Sequence, residues 1–202
     1  MASQTAICNQ ALIQVGHDTL TAVDSSTVQG RKLLAAWPIV LDALLSVHAW
    51  GFATKRVALQ QLATAPVWGY DYAYQLPSDC LRLLEVYPDT EYQVEAGQVL
   101  SDEDEVSIKY LYRVSQTGLF SPLFTLALAD ALAVQICYGL EGSAQKRESL
   151  ERIAARSLAQ AIAKDSAETW QPDGTEDEDD TWLTARGAES ETEEWTATES
   201  TT

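Results

Sequence analysis

Apolar residues recur at helical spacing through the first fifty positions. Ala6, Ile7, Ala11, Leu12 and Val15 form a stripe that closes on Gly16, the residue type best suited to a left-handed stop, and this predicts a helix over 5–15. His17 to Asp24 reads as a connector. Ser25-Ser26-Thr27 are capping types, and Leu33, Leu34, Trp37, Leu41, Leu44 and Leu45 follow in helical register, predicting a longer second helix over 25–48. Pro38 lies inside it and has no N–H to give, so one carbonyl is left without its partner and a kink or restart is expected there.

From residue 57 the period shortens. Val57-Ala58-Leu59, Asp71 to Leu76 and Leu81 to Tyr87 are short and rich in aromatic and branched residues. Tyr92 to Glu95 and Val99-Leu100 flank Ala96-Gly97, a hairpin signal, and Val106, Ile108, Tyr110, Tyr112 and Val114 alternate as a half-buried strand should. The run Asp102 to Glu105 reads as a solvated turn between strands. It lacks the spaced ligands and glycine bend of a calcium loop.

Ser121-Pro122 then pairs a cap with a first-turn proline and opens a third helix over 121–138. That helix is apolar on nearly all sides and is expected at the centre of the fold, broken by Gly139 and Gly142. A fourth helix is predicted over 143–168, with Leu150, Ile153, Ala154, Leu158, Ala161 and Ile162 on its inner stripe and Glu148 and Arg152 spaced for an ion pair on the wet side. The pattern is thus α+β and mainly α: a four-helix body over 1–170 with a small antiparallel sheet (57–114) inserted between the second and third helices. The longest uncharged stretch, Val114 to Ala129, is too short to span a bilayer and reads as part of a core helix. No secretion signal is visible at the N-terminus, and no membrane role is expected.

Charge divides the chain further. The 202 residues carry a formal charge of −17. From Asp173 to Thr202 there are eleven acidic residues against Arg186 alone, a net of −10, with little apolar surface to bury. Such a segment is expected to stay disordered unless bound, giving an acidic tail over 171–202. The acidic balance also excludes functions that depend on neutralising phosphates or anionic lipid.

The inventory for catalysis is thin. Two histidines, His17 and His48, have no nucleophile, glycine-rich loop or metal spacing beside them, and His48 reads as a group near a helix C-terminus in a dipole or capping role. Cys8, Cys80 and Cys137 are odd in number and far apart, which fits reduced cysteines acting as small hydrophobes. No catalytic, cofactor-binding or metal-ligating residue is assigned. The aromatics Trp50, Phe52, Trp68, Tyr70, Tyr72 and Tyr74 crowd one quarter of the chain, and no basic residue lies between Arg56 and Arg82 to support stacking on nucleic acid. They are expected either to pack in the core or to form an interface, with Trp68, Tyr70 and Tyr72 as candidate contacts.

Three stretches carry a resemblance. Thr5-Ala6-Ile7-Cys8-Asn9-Gln10-Ala11-Leu12, closing at Val15-Gly16, is similar to the first helix of bacteriophage head–tail adaptors, the head-completion or tail tubular protein A group of short-tailed phages and prophages. Trp50 to Leu59 (WGFATKRVAL) and Tyr72 to Leu84 (YAYQLPSDCLRLL) resemble the same family more specifically, the second through its aromatic, Leu-Pro, acidic, Cys-Leu-Arg order. The resemblance covers residues 3–170; the acidic tail departs from it.

The resemblance implies a structural virion protein and no enzyme. Such adaptors assemble as a homo-oligomeric ring, commonly of twelve subunits, beneath the portal protein, and offer a platform for the distal tail protein. They extend a channel through which DNA passes without specific binding, in the neck of a virion assembled in the host bacterial cytoplasm. The helices of such adaptors build the ring wall, the inserted β-region faces the distal partner, and the C-terminal segment reaches toward the portal. Trp170, Trp182 and Trp195 are isolated tryptophans in and beside the tail, and they become candidate anchors on a partner surface. Two alternatives stand beside this: an adaptor with accessory peptidoglycan hydrolase activity, and an acidic DNA mimic that inhibits a host protein.

Overall fold

The structure, a computed structural model, describes residues 2–141 and 143–169. Four helices appear in chain order: α1 (Gln4–Val15), α2 (Val28–Val47), α3 (Pro122–Glu141) and α4 (Ala144–Thr169). Six strands lie between α2 and α3: β1 (Thr54–Ala58), β2 (Tyr72–Gln75), β3 (Cys80–Tyr87), β4 (Tyr92–Glu95), β5 (Gln98–Ser101) and β6 (Ser107–Tyr112). The class is α+β, as the sequence pattern indicates.

Local chemistry sets the helix ends. Ser3 accepts the Ala6 N–H at 3.2 Å, Thr27 accepts that of Gly30 at 3.0 Å, Ser121 that of Phe124 at 3.2 Å and Ser143 that of Lys146 at 3.3 Å. Gly16 closes α1 at φ 89°, with its N–H and that of His17 returned to the last carbonyls. Four expectations are refined here. Helix α2 continues through Pro38 without a restart; Pro38 and Leu34, whose carbonyl loses its partner, are both on the exposed side. Gly139 does not break α3, which runs on to Glu141, and the Lys32 ammonium caps its last turn by donating to the Gly139 carbonyl. On α4 the buried line is Leu150, Ser157, Ala161 and Asp165, which leaves Ile153 exposed at its edge. Likewise Ala6 of α1 is exposed, while its neighbours Ile7 and Cys8 are buried.

Helix α3 packs against α1, α2 and α4. Its Phe124, Leu128, Leu132, Ala133 and Ile136 form the centre of the main core with Leu12 of α1 and Leu33, Leu41 and Leu45 of α2. The uncharged-stretch argument understated this helix: Pro122–Leu140 is long and apolar enough by composition to cross a membrane, and half of it is buried inside the body. Its one charge in that span, Asp130, is buried and receives the Gln14 amide from α1 at 2.5 Å. A carboxylate paired with a neighbouring helix, and three helices wrapped around, make it a core helix.

The insertion forms two antiparallel sheets rather than one. Sheet A has the order β1-β6-β3 and sheet B the order β2-β5-β4. Leu111 of β6, with Leu81 and Leu84, faces the helical core, while Ile108 and Tyr110 of the same strand face a second core that includes Tyr74, Val86 and Val99. The period of two along β6 therefore serves two cores at once. The chain leaves sheet A at Leu59, whose N–H reaches the Val106 carbonyl, and joins the edge of sheet B where Leu62 bonds Ala73. Ala96 (φ 47°) and Gly97 (φ 77°) make the tight turn of the β4–β5 hairpin, as expected from the sequence.

Candidate functional site

The stretch from Tyr72 to Leu84, with its order aromatic, Leu-Pro, acidic, Cys-Leu-Arg, builds the junction between sheet A and α2. Asp79 takes the Tyr110 hydroxyl at 3.2 Å on one oxygen and the Lys55 ammonium at 3.5 Å on the other, while its carbonyl accepts the Arg113 N–H. Lys55 also lies over the Tyr112 ring at 3.5 Å. Arg82 donates to the Ser46 carbonyl at 3.0 Å, and Arg113 grips Asp42 of α2 with two nitrogens, at 2.8 and 2.5 Å. Burial first, and then the Asp79 charge, push the Tyr110 phenol from 10.0 to about 12. These polar groups fix the angle at which the β-region leaves the helices.

The second motif, Trp50-Gly51-Phe52, sits where α2 gives way to sheet A. Trp50 is fully buried, its indole N–H donates to the Leu44 carbonyl at 2.9 Å, and its ring meets Phe124 edge-on at 4.9 Å. Phe52 contacts Phe120 and Phe124, so the sequence aromatics of this motif are core. His48 follows α2 directly, but its partner is a side chain rather than the helix end: its Nε2 lies 3.1 Å from the buried Asp165 carboxylate of α4. The same carboxylate accepts the Gly51 N–H at 3.2 Å. Asp165 thus staples α4 to the turn after α2. Among the described residues no group of three histidine, cysteine or acidic side chains is placed to hold a metal ion.

The remaining aromatics divide. Tyr74 is buried and Tyr72 half-buried against the second core. Trp68 is 84% exposed and Val67 99% exposed at the tip of the loop between β1 and β2. Pro66, Trp68 and Tyr70 form one wall of a cleft of about 260 Å3, and Gln93, Glu95 and Leu100 of the β4–β5 hairpin form the other. Tyr70 is half-buried, and partial burial together with the charges of Glu91, Asp102 and Glu95 raises its phenol above its ordinary value. The acidic run beside it is more than a solvated turn. Asp102 accepts the Asp71 N–H at 2.9 Å, and the Glu103 carbonyl accepts the Tyr74 hydroxyl at 2.5 Å, so it anchors the base of the loop. Trp170, Trp182 and Trp195 lie outside the described residues.

No family model and no curated protein matches the chain.

A second surface lies on α2, where the helical register drew attention only to the apolar positions from Leu33 to Leu45. Its outer row, Ala35, Pro38, Ile39 and Ala43, is exposed, with Ile39 at 67%, and Leu34 lies beside it at 40%. No charge occurs between Lys32 and Asp42, and Asp42 is taken up by Arg113. The signal was present in the residues: nine positions of a surface helix without a charge on any face. A separate cleft of about 820 Å3 on sheet A is bordered by Arg56, Tyr87, Asp89 and Tyr92, with Glu85 already engaged by Lys109 at 2.6 Å.

Proposed function

We infer that the chain is a structural virion protein, a head–tail adaptor whose copies pack as a ring under the portal protein and present the β-region to the distal tail protein. The observation that carries this reading is the outer row of α2. A solvent-facing helix row of Ala35, Pro38 and Ile39 with no charge is expected to be covered, and in a ring wall made of helices a second copy covers it. The order of elements supports the same reading, because the resemblance expects two helices, an inserted β-region and two further apolar helices.

Light scattering on the full-length chain, mixed with a portal ring encoded in the same genome, tests the proposal. The chain alone should scatter as a monomer or weak oligomer, and a ring should form on the portal. Ile39→Lys should abolish ring formation while leaving the circular dichroism spectrum unchanged. A stable ring without portal would overturn the ordered assembly, and full assembly by the lysine variant would overturn the role of α2.

A further inference from the structure

The net charge of the body hides a polarity. Residues 60–106 hold ten acidic residues and one basic one, Arg82, a net of −9. Residues 1–59 and 107–170 hold nine acidic and eleven basic residues, a net of +2. Two of the ten, Asp79 and Glu85, are neutralised by Lys55 and Lys109 at the sheet A junction. Around the loop tip the acids stand unmatched: no ion pair among the described residues holds Glu91, Glu95 or Asp102. Beside partial burial, their charges help to raise the Tyr70 phenol.

Out of this negative surface project Val67 and Trp68. An indole exposed to 84% beside a valine exposed to 99% is costly in water. Asp102 pins the base of the loop at Asp71, and Leu62 pins its start at Ala73. Tryptophan at the tip of a loop anchored at its base, beside charge of one sign, has the anatomy of a binding hot spot: an apolar anchor next to a polar rim that steers and orients the partner.

We propose that the 66–70 tip is the docking site for a partner protein that carries lysines and arginines around an apolar slot able to take an indole. The charge argument selects this occupant. Nucleic acid and anionic membranes are repelled by the acidic surroundings. A second copy of this chain brings the same acidic tip and the same net charge of −17, so it offers this surface no net positive partner. The chain's own acidic terminus, at −10, is of the wrong sign. The inference deepens the adaptor reading, on which it rests for the choice of probe.

The test uses the full-length chain against two probes, the portal protein and the distal tail protein of the same genome, with Kd measured by calorimetry. Trp68→Ala should weaken binding to the distal protein at least tenfold, Trp68→Phe should restore part of it, and Glu95→Lys should weaken it and flatten its salt dependence. Portal binding should be unchanged in all three. Distal binding that is insensitive to Trp68→Ala overturns the docking site but leaves the adaptor reading standing. Wild-type chain that binds portal alone also overturns the docking site. If the wild-type chain binds neither probe, both readings fall. Loss of self-association in Trp68→Ala, with distal binding intact, would assign the tip to a copy–copy contact and overturn the proposal.

Discussion

Replacing Trp50 and Trp68 with alanine removes the same side chain from two points in one aromatic-rich stretch, and the structure gives the two changes opposite consequences. Trp50 has no exposed surface, its ring rests on Phe124 at 4.9 Å, and its N–H satisfies the Leu44 carbonyl. Its removal opens a cavity at the junction of α2, α3 and sheet A and leaves that carbonyl without its donor. Large-to-small changes of a buried tryptophan cost about 3–5 kcal/mol. For a body of this size each kcal/mol lowers the midpoint by roughly 2–4 °C, so Trp50→Ala should melt roughly 6–20 °C below the parent. Trp68 touches little, and its removal should change stability by no more than about 0.5 kcal/mol. Thermal melts and urea titrations of both variants, followed by far-ultraviolet circular dichroism, give the comparison. Equal destabilisation by the two, or a larger effect from Trp68→Ala, would refute the division of the aromatics into core and tip.

Three further outcomes follow from particular contacts. A methyl group on Gly30 would lie 2.0 Å from the Asp24 carbonyl oxygen, a backbone atom that cannot step aside, so Gly30→Ala should destabilise by about 1–3 kcal/mol in a urea titration, and a neutral result would contradict the packing at the start of α2. Asp165→Ala strands the Gly51 N–H and the His48 ring nitrogen and should cost about 1–3 kcal/mol, with Asp165→Asn milder because one acceptor oxygen remains; equal losses would mean that the hydrogen bonds do not carry the effect. The Tyr110 phenol is raised when folded, so its neutral form favours the native state: that contribution is whole below pH 10.0 and is lost as pH rises from there through about 12. Burial also pushes the Cys8 thiol up to about 12, so Tyr110→Phe should lessen the alkaline dependence of the unfolding curve rather than abolish it, and a curve of unchanged shape would refute the Tyr110 contribution.

Much of the frame was legible from residue patterns because short-range chemistry decides it. Gly16, Thr27 and Ser121-Pro122 mark helix ends through hydrogen bonds made within one turn, and Ala96-Gly97 marks a hairpin through the backbone angles it needs. Gly139 misled because a stop requires the chain to turn, and Lys32 instead holds the last turn of α3 closed from across the fold. The single expected sheet became two because β6 alternates on both faces, and an alternating strand in sequence does not reveal that its second face is also covered. His48 and Asp165 are far apart in the chain, so only the packing of α4 on the end of α2 brings them together. The candidate contacts separated for the same kind of reason: Tyr72 lies on a strand that faces a core, whereas Trp68 lies on a loop tip, and composition alone treats them alike.

The adaptor reading stands or falls on what the full-length chain forms beneath a portal. Native mass spectrometry of that complex counts the copies directly. The account predicts a closed set of many chains on one portal ring, with Ile39→Lys yielding none. Single chains bound independently, at sub-stoichiometric and variable number, or no complex with the portal at all, would contradict it.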